Sequence, residues 1–417
     1  MIRSSAALAL LLVVGVTAQS APPVGYSPNI PVSAPTRIDW TFTVSNRSQT
    51  DPPESLIAKD YDSTKQSYEF FLPTRKDAKQ PIGAIVFIST SDEPSGWKSY
   101  QSVCKQLGLA FIGPRGAGNN VPSPKRARIV LDCFDDVRRQ VPLDHDRTYI
   151  SGVSGGGRMA CGIGFAHPEY FGGILSVVAG GDIRPEPWLR HRAIDRLSIA
   201  LITGTTDFNR GEVERWLGPY WKGIGIRSKV WVANMGHTMP PAATLLEAVK
   251  FLDEGRTKRA DTAKKFPTTR ALPDKVPTRD QAATAMFEEG QDMLKEKATV
   301  HRGLMLVKGV SERWPDTEAG KAARQLLIEF QAKSDKSWQM EDIAEQRTQL
   351  IAEARALADY SINGVPAGSP YEKSRPMMAT AAIQRWSVLI ADAPDSDLAK
   401  EGNKLVEQLR PLAAKGK

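Results

Sequence analysis

The stretch TYISGVSGGGRMACGIGFAHPEYF, Thr148 to Phe171, sets one serine among glycines directly after a β-prone run. Glycine belongs where a backbone must bend sharply or lie close to another backbone. Gly152-Val153-Ser154-Gly155-Gly156 follows the run, and the small residues from Gly156 to Ala166 read as a helix. A strand that turns into a helix at a single residue strains that residue, and its neighbours two before and two after must be tiny. Glycines at 152 and 156 meet that need. The spacing therefore predicts a sharp strand-to-helix turn that holds the Ser154 hydroxyl proud at a helix N-terminus, where free N–H groups favour developing negative charge.

Working outward, short β-rich runs alternate with helical stretches between Asp39 and Gly255. The runs are WTFTVS (40–45), YEFFL (68–72), AIVFIS (84–89), LAFIGP (109–114), RTYISG (147–152), GILSVVAG (173–180), SIALITG (198–204) and KVWVANM (229–235). The last six are nearly continuous apolar strands, as expected where helices cover both faces of a sheet. Helices are expected over 100–107, 127–140, 156–167, 211–224 and 242–253. This alternation predicts an α/β fold with a doubly wound, mostly parallel sheet over residues 39–255. The two earliest runs are expected as antiparallel strands at one edge.

The flanks read differently. Residues 1–18 pair one arginine with an apolar run, Ala6 to Val16, and small residues at the end, the pattern of a cleavable secretory signal. The expected location is thus secreted or periplasmic. The Pro- and Ser-rich segment 19–38 is expected to lack regular structure. Residues 256–277 read as a basic, solvated linker. From 278 to 417 the strand signal disappears, and Ala, Glu, Lys, Leu and Gln recur at helical spacing. There WPDTEAGKAARQLL (314–327) matches APDSDLAKEGNKLV (393–406), each with a Pro-Asp turn closing one helix and capping the next. The region resembles tetratricopeptide-type repeats in degenerate form, an irregular bundle being the alternative, and such helices offer a surface for a protein partner.

Composition excludes several function classes. The 417 residues are 41% hydrophobic and 24% charged, enough for a substantial core. A net charge of +8 brings no aromatic-interleaved basic patch, so a nucleic-acid partner is not expected. No membrane span follows the leader. The three cysteines, Cys104, Cys133 and Cys161, are too few for a disulfide framework; a Cys104–Cys133 bridge stays open, and buried single thiols are the preferred reading. No histidine pair or cysteine cluster shows ligand spacing, so neither a metal nor another cofactor is expected.

A serine hydroxyl is a weak nucleophile without a base, and the base needs an acid to orient it. Of five histidines, His145 is expected as a surface residue of the acidic turn LDHDR, His167 ends the helix after Ser154, His191 lies in a short connection, and His301 belongs to the C-terminal helices. His237 follows a strand directly, in NMGHTMPP, where an imidazole reaches across the carboxyl ends of the strands. The acid is expected between serine and histidine in the chain. Asp207, in GTTDFNRGEVERW, follows the strand before the histidine strand and is preferred. Asp182, in AGGDIRPEPW, is the alternative.

Residues 39–255 resemble an α/β-hydrolase, within the secreted esterases similar to polyhydroxyalkanoate depolymerases and feruloyl esterases, through YISGVSGGGRMA, GTTDFNR and MGHTMP. The resemblance covers about half the chain. It implies Ser154 as nucleophile, His237 as base and Asp207 as its partner. In one place the chain departs from that pattern: many such proteins carry His-Gly after the first parallel strand, where this chain has FISTSDEPSGW. The oxyanion would then be held by the backbone N–H of Gly155 with that of Thr90 or Ser91.

The expected function is carboxylic ester hydrolysis through an acyl-enzyme. Peptide hydrolysis of the prolyl-oligopeptidase type and a non-catalytic extracellular scaffold are the alternatives. The short 181–197 connection leaves no room for a lid, which favours small-molecule or polymeric esters over long-chain lipids. In RPEPWLRHR, Trp188, Arg190 and Arg192 are expected either beside the cleft, facing an anionic or aromatic substrate, or in a surface loop.

Overall fold

The computed structural model describes residues 23–414 except 45–56, 58, 60, 182, 185, 274, 334 and 337. The leader expected over 1–18 lies outside them. The described strands are β1 (Gly25–Pro31), β2 (Ser67–Leu72), β3 (Ile82–Ile88), β4 (Ala110–Pro114), β5 (Leu143–Val153), β6 (Gly173–Val177), β7 (Ser198–Gly204) and β8 (Arg227–Ala233). They form one sheet in the order β1-β2-β4-β3-β5-β6-β7-β8. β3 to β8 run parallel, while β2 is antiparallel to both β1 and β4. With a strand-to-helix turn after β5, this is the α/β-hydrolase architecture.

Helices α1 (Thr41–Val44), α2 (Trp97–Leu107), α3 (Ser123–Gln140), α4 (Gly155–Ala166), α5 (Pro187–Arg196), α6 (Gly218–Gly223) and α7 (Ala242–Glu254) accompany the sheet. A π-helical turn, Glu212–Leu217, leads into α6. Along β3 the apolar side chains divide by parity, as the strand's two-residue period demands. Ala84, Val86 and Ile88 join the core built with α3 and α4. Ile85 and Phe87 join the core built with α2 and α7. Two apolar layers therefore clamp the sheet, which explains the unbroken apolar runs in the sequence.

Three expectations are corrected. The run at 40–45 is not a strand: Thr41–Val44 is a helical turn, and β1 takes its edge position. The described part of 19–38 is ordered, because α3 turns three fully buried carboxylates toward it. Asp136 Oδ1 accepts from Ser33 N at 2.9 Å, Asp132 Oδ1 from Thr36 N at 2.7 Å, and Asp135 Oδ2 from Arg37 N at 2.8 Å. Residues 256–277 are not a solvated linker either. They begin with helix α8 (Arg256–Lys265), whose Arg259 is 2% exposed and donates to the carbonyls of Asp146 and Leu252. A basic run looks alike in sequence whether its guanidinium groups meet water or buried carbonyls.

The C-terminal region is all helical: α9 (Arg279–Met293), α10 (Val300–Arg313), α11 (Glu318–Ala332), α12 (Gln339–Asp359), α13 (Arg375–Asp392) and α14 (Asp397–Ala414). The matched segments are the corners into α11 and α14. Thr317 Oγ1 accepts from Gly320 N at 3.0 Å, and Ser396 Oγ accepts from Ala399 N at 3.1 Å. The repeat thus encodes the same N-cap twice. These helices share cores with the sheet half. Met286, Leu306 and Val310 pack with Phe42, Trp188 and Leu189, while Ala352 and Ala356 of α12 enter the α3–α4 layer. Among the described residues no helix is long and apolar enough to cross a membrane.

At this junction His167 is fully buried. Arg313 Nη2 donates to its Nδ1 at 3.2 Å, so the ring proton sits on Nε2, facing Thr43 Oγ1 at 2.8 Å. Burial first, then the Arg313 charge, push its pKa down to about 4. The unfolded chain therefore binds the proton more readily between pH 6.5 and 4, and His167 withdraws stability as pH falls through that window. We expect the melting temperature to fall less steeply across it in His167→Gln, whose amide can supply both hydrogen bonds. Equal slopes in a thermal-unfolding series would count against this.

Candidate active site

β5 ends at Val153, and Ser154 takes φ +53° and ψ −123° before α4 begins at Gly155. This is the strained turn expected from the glycine spacing, in a region costing on the order of 1–3 kcal/mol for a non-glycine residue. The two outer glycines make it feasible. A Cβ at Gly152 would lie 2.3 Å from the Gly156 carbonyl group, and one at Gly156 would lie 2.1 Å from Ile88 O. Ser154 N donates to Val177 O at 2.9 Å, which pins the turn to the end of β6.

The parallel register brings distant loops together. Ile88 pairs with Gly152, Val153 with Val177, and Gly204 with Ala233, so the carboxyl ends of β3, β5, β6, β7 and β8 form one rim. Ser154, Asp207 and His237 each follow a strand at this rim. His237 Nε2 lies 2.8 Å from Ser154 Oγ, and His237 Nδ1 lies 2.8 Å from Asp207 Oδ1. An ionised carboxylate only accepts, so Nδ1 carries the proton and the Nε2 lone pair faces the serine hydroxyl. The Asp207 side chain has no exposed surface, whereas that of His237 is 23% exposed. The site is open on the imidazole side.

Several supports had no sequence signal of their own. Thr203 Oγ1 donates to Asp207 Oδ2 at 2.7 Å, and Asn209 N donates to Oδ1 at 3.1 Å. Phe208 stacks on His237 with ring centroids 4.0 Å apart. Arg158, one turn along α4 from the serine, donates to the Gly180 carbonyl at 2.8 Å and pairs with Glu212. Phe208 and Asn209 lay inside the motif that singled out Asp207. Thr203 lay in the strand before it.

The rest of the expected set divides. Gly155 opens α4 beside the end of β3, since its neighbour Gly156 abuts Ile88 O. Thr90 O accepts from Asn119 N at 2.9 Å, and Ser91 N already donates to Ser89 Oγ at 3.1 Å. Asp182, the alternative acid, lies outside the described residues. Trp188, Arg190 and Arg192 are neither beside the cleft nor in a surface loop: they are buried on α5 and face the C-terminal helices. Trp188 Nε1 donates to Glu312 at 2.8 Å, and Arg192 Nη2 to Thr268 O at 2.7 Å. His145 is 1% exposed, not a surface turn residue, and sits between Arg138 and the carbonyl of Tyr170.

All three cysteines are free and buried, and burial pushes the Cys161 thiol up to about 12. They are packing residues. Among the described residues one cluster could offer metal-ligand atoms, His191, His301 and Glu345, drawn from α5, α10 and α12. Glu345 Oε2 is 2.6 Å from His191 Nε2 and 3.1 Å from His301 Nε2, while Arg190 Nε donates to Oε1 at 2.9 Å. Burial works against the charged carboxylate. The two imidazoles and the guanidinium outweigh it, holding Glu345 well below the usual carboxylate range. The cluster is accounted for as an ion-pair clasp between α5 and the C-terminal helices.

No protein-family model and no curated protein matches this chain. Solved structures similar to it include the S-formylglutathione hydrolase FrmB of Staphylococcus aureus, at 16% identity and TM-score 0.36, with 46% of this chain aligned to 92% of that one. The fluorophosphonate-binding serine hydrolase FphF of the same organism is 14% identical at TM-score 0.38, covering 56% of this chain and 99% of that one. Esterase PE8 is 20% identical at TM-score 0.35, covering 46% and 99% respectively.

Proposed function

We propose that this protein is a serine hydrolase of carboxylic esters, working through an acyl-enzyme on Ser154. The observation that carries the reading is the unbroken chain from Ser154 Oγ to His237 to Asp207, both links 2.8 Å, at a strained turn. Random placement of a serine does not produce a left-handed backbone, an accepting imidazole nitrogen and a buried carboxylate in line.

His237 Nε2 takes the hydroxyl proton as Oγ attacks the ester carbonyl. Asp207 then faces an imidazolium and stabilises it. The oxyanion lies against the first N–H of α4, that of Gly155, with a second donor from the loop after β3. Ser91 spends its N–H on Ser89, so Thr90 is the better candidate. The imidazolium returns its proton to the departing alcohol, and water repeats the sequence on the acyl-enzyme to release the acid.

Small-molecule or polymeric esters suit a site over which the described residues of 181–197 place no lid: helix α5, Pro187–Arg196, packs under the C-terminal helices. The leader pattern is consistent with work outside the cytoplasm.

The test is labelling by a fluorophosphonate, which phosphonylates activated serines. We expect covalent label on Ser154 of the wild type and none on Ser154→Ala, with turnover of short-chain nitrophenyl esters far above that of peptide anilides. Label that survives the substitution would remove the nucleophile assignment. The reverse substrate ranking would make the protein a peptidase, and an unlabelled wild type would favour a scaffold.

A further inference from the structure

The loop that carries Asp207 is held from the C-terminal half of the chain. Asn209, 3% exposed, is its anchor. Its backbone N–H points to Asp207 Oδ1, its Nδ2 donates to Val178 O at 2.7 Å, and its Oδ1 accepts from Tyr371 O–H at 2.7 Å. Tyr371 sits in the 3-10 turn Pro370–Ser374 that opens α13. Val178, at φ +51°, is the other non-glycine residue with a left-handed backbone among those described. The same asparagine thus bridges the acid, a strained residue after β6 and a tyrosine from the helices.

A second contact lies alongside. Gly211 approaches the π-helical turn Tyr360–Gly364 so closely that a Cβ there would sit 1.7 Å from Gly364 O. Residues of the 205–215 loop and of 363–369 line an open cleft of about 790 Å³, with Asp207 and Phe208 on its wall. Phe208, which lines this cleft, also stacks on the His237 ring. The helices therefore reach the rim of the site as well as its foundations.

We propose that Tyr371 is a positioning residue for Asp207, acting through Asn209, and that the C-terminal helices are a working part of the active site. This rests on the reading of Asp207 as the acid of a Ser-His-Asp hydrolase. The tyrosine hydroxyl orients the Asn209 amide so that Nδ2 meets Val178 O. With the amide anchored at both ends, the backbone N–H of 209 stays aimed at the oxygen that also receives His237 Nδ1–H. Without the hydroxyl one anchor is lost, and the carboxylate gains freedom to drift from the imidazole. Catalysis is sensitive to displacements of that scale.

Tyr371→Phe keeps the ring and removes only the hydroxyl. We expect kcat on a nitrophenyl ester to fall about 10-fold, the worth of one well-made hydrogen bond. KM should stay within about twofold, because no substrate contact is touched. The acid limb of the kcat/KM–pH profile should move to lower pH, since an imidazolium with a less fixed carboxylate loses its proton more readily. The melting temperature should change little. Asn209→Ala gives a second reading: with Asn209 gone, adding Tyr371→Phe should cost nothing more.

Unchanged kcat and an unmoved acid limb in Tyr371→Phe would overturn the inference while leaving the hydrolase reading intact. So would independent, multiplying losses in the double variant, or a fall in kcat that merely tracks a lower melting temperature. If the wild type itself neither turns over esters nor takes fluorophosphonate on Ser154, the underlying reading fails first.

Discussion

His237→Ala is expected to lower kcat on a short-chain ester by about 10⁶-fold, with KM little changed, the scale seen when a triad base is removed from another serine hydrolase. The reason lies in the geometry. Nε2 is the acceptor facing Ser154 Oγ, at 2.8 Å. Without it the hydroxyl must lose its proton to water while attacking, which returns the serine to its ordinary weak nucleophilicity. The imidazole is partly exposed and follows the end of β8, so its truncation leaves both sheet cores untouched. Steady-state kinetics beside a circular dichroism spectrum decide the matter. A loss under about 100-fold in a folded variant would move the base elsewhere.

Asp207→Ala should cost about 10⁴-fold in kcat, and Asp182→Ala almost nothing. Asp207 Oδ1 receives two N–H donors, His237 Nδ1 and Asn209 N, while Oδ2 receives the Thr203 hydroxyl. That asymmetry makes a finer statement about the asparagine variant. A hydroxyl can reverse and accept, so an amide at 207 can keep its oxygen toward His237 and turn its nitrogen to Thr203. Asp207→Asn then preserves the working tautomer and loses only the charge that steadies the imidazolium. We expect its loss to be smaller than that of the alanine variant, and to grow toward it when Thr203→Val removes the reversible partner. Equal losses in both single variants would show that the amide seats the other way. A larger loss for Asp182→Ala than for Asp207→Ala would transfer the acid role.

The placement of His237 and Asp207 at the sheet rim was legible because each follows its own apolar strand. The misread segments share a different trait. Residues 23–38 are Pro-rich and 256–265 are basic, and their order comes from buried partners far along the chain. Asp132, Asp135 and Asp136 stand in one helix, where burial of three carboxylates is improbable unless something donates to them. That signal was present in LDCFDDVRR, but the donors from 23–38 include the backbone N–H groups of Ser33, Thr36 and Arg37, which have no residue code. Trp188, Arg190 and Arg192 were misplaced for a related reason. A Trp- and Arg-rich helix suits a cleft wall and an internal interface equally, and only the docking of α10 and α12 decides between them.

By itself the sequence determined the parallel sheet, because strands buried on both faces must be written as unbroken apolar runs. It also determined the turn at Ser154, because backbone that touches backbone admits nothing larger than glycine. Tertiary structure alone decided which groups meet across 30 to 162 residues of chain: Asp207 with His237, Ser154 with His237, Asn209 with Tyr371. Such meetings depend on strand order and helix docking. Local residue patterns do not record either one, since each is the outcome of packing the whole chain at once.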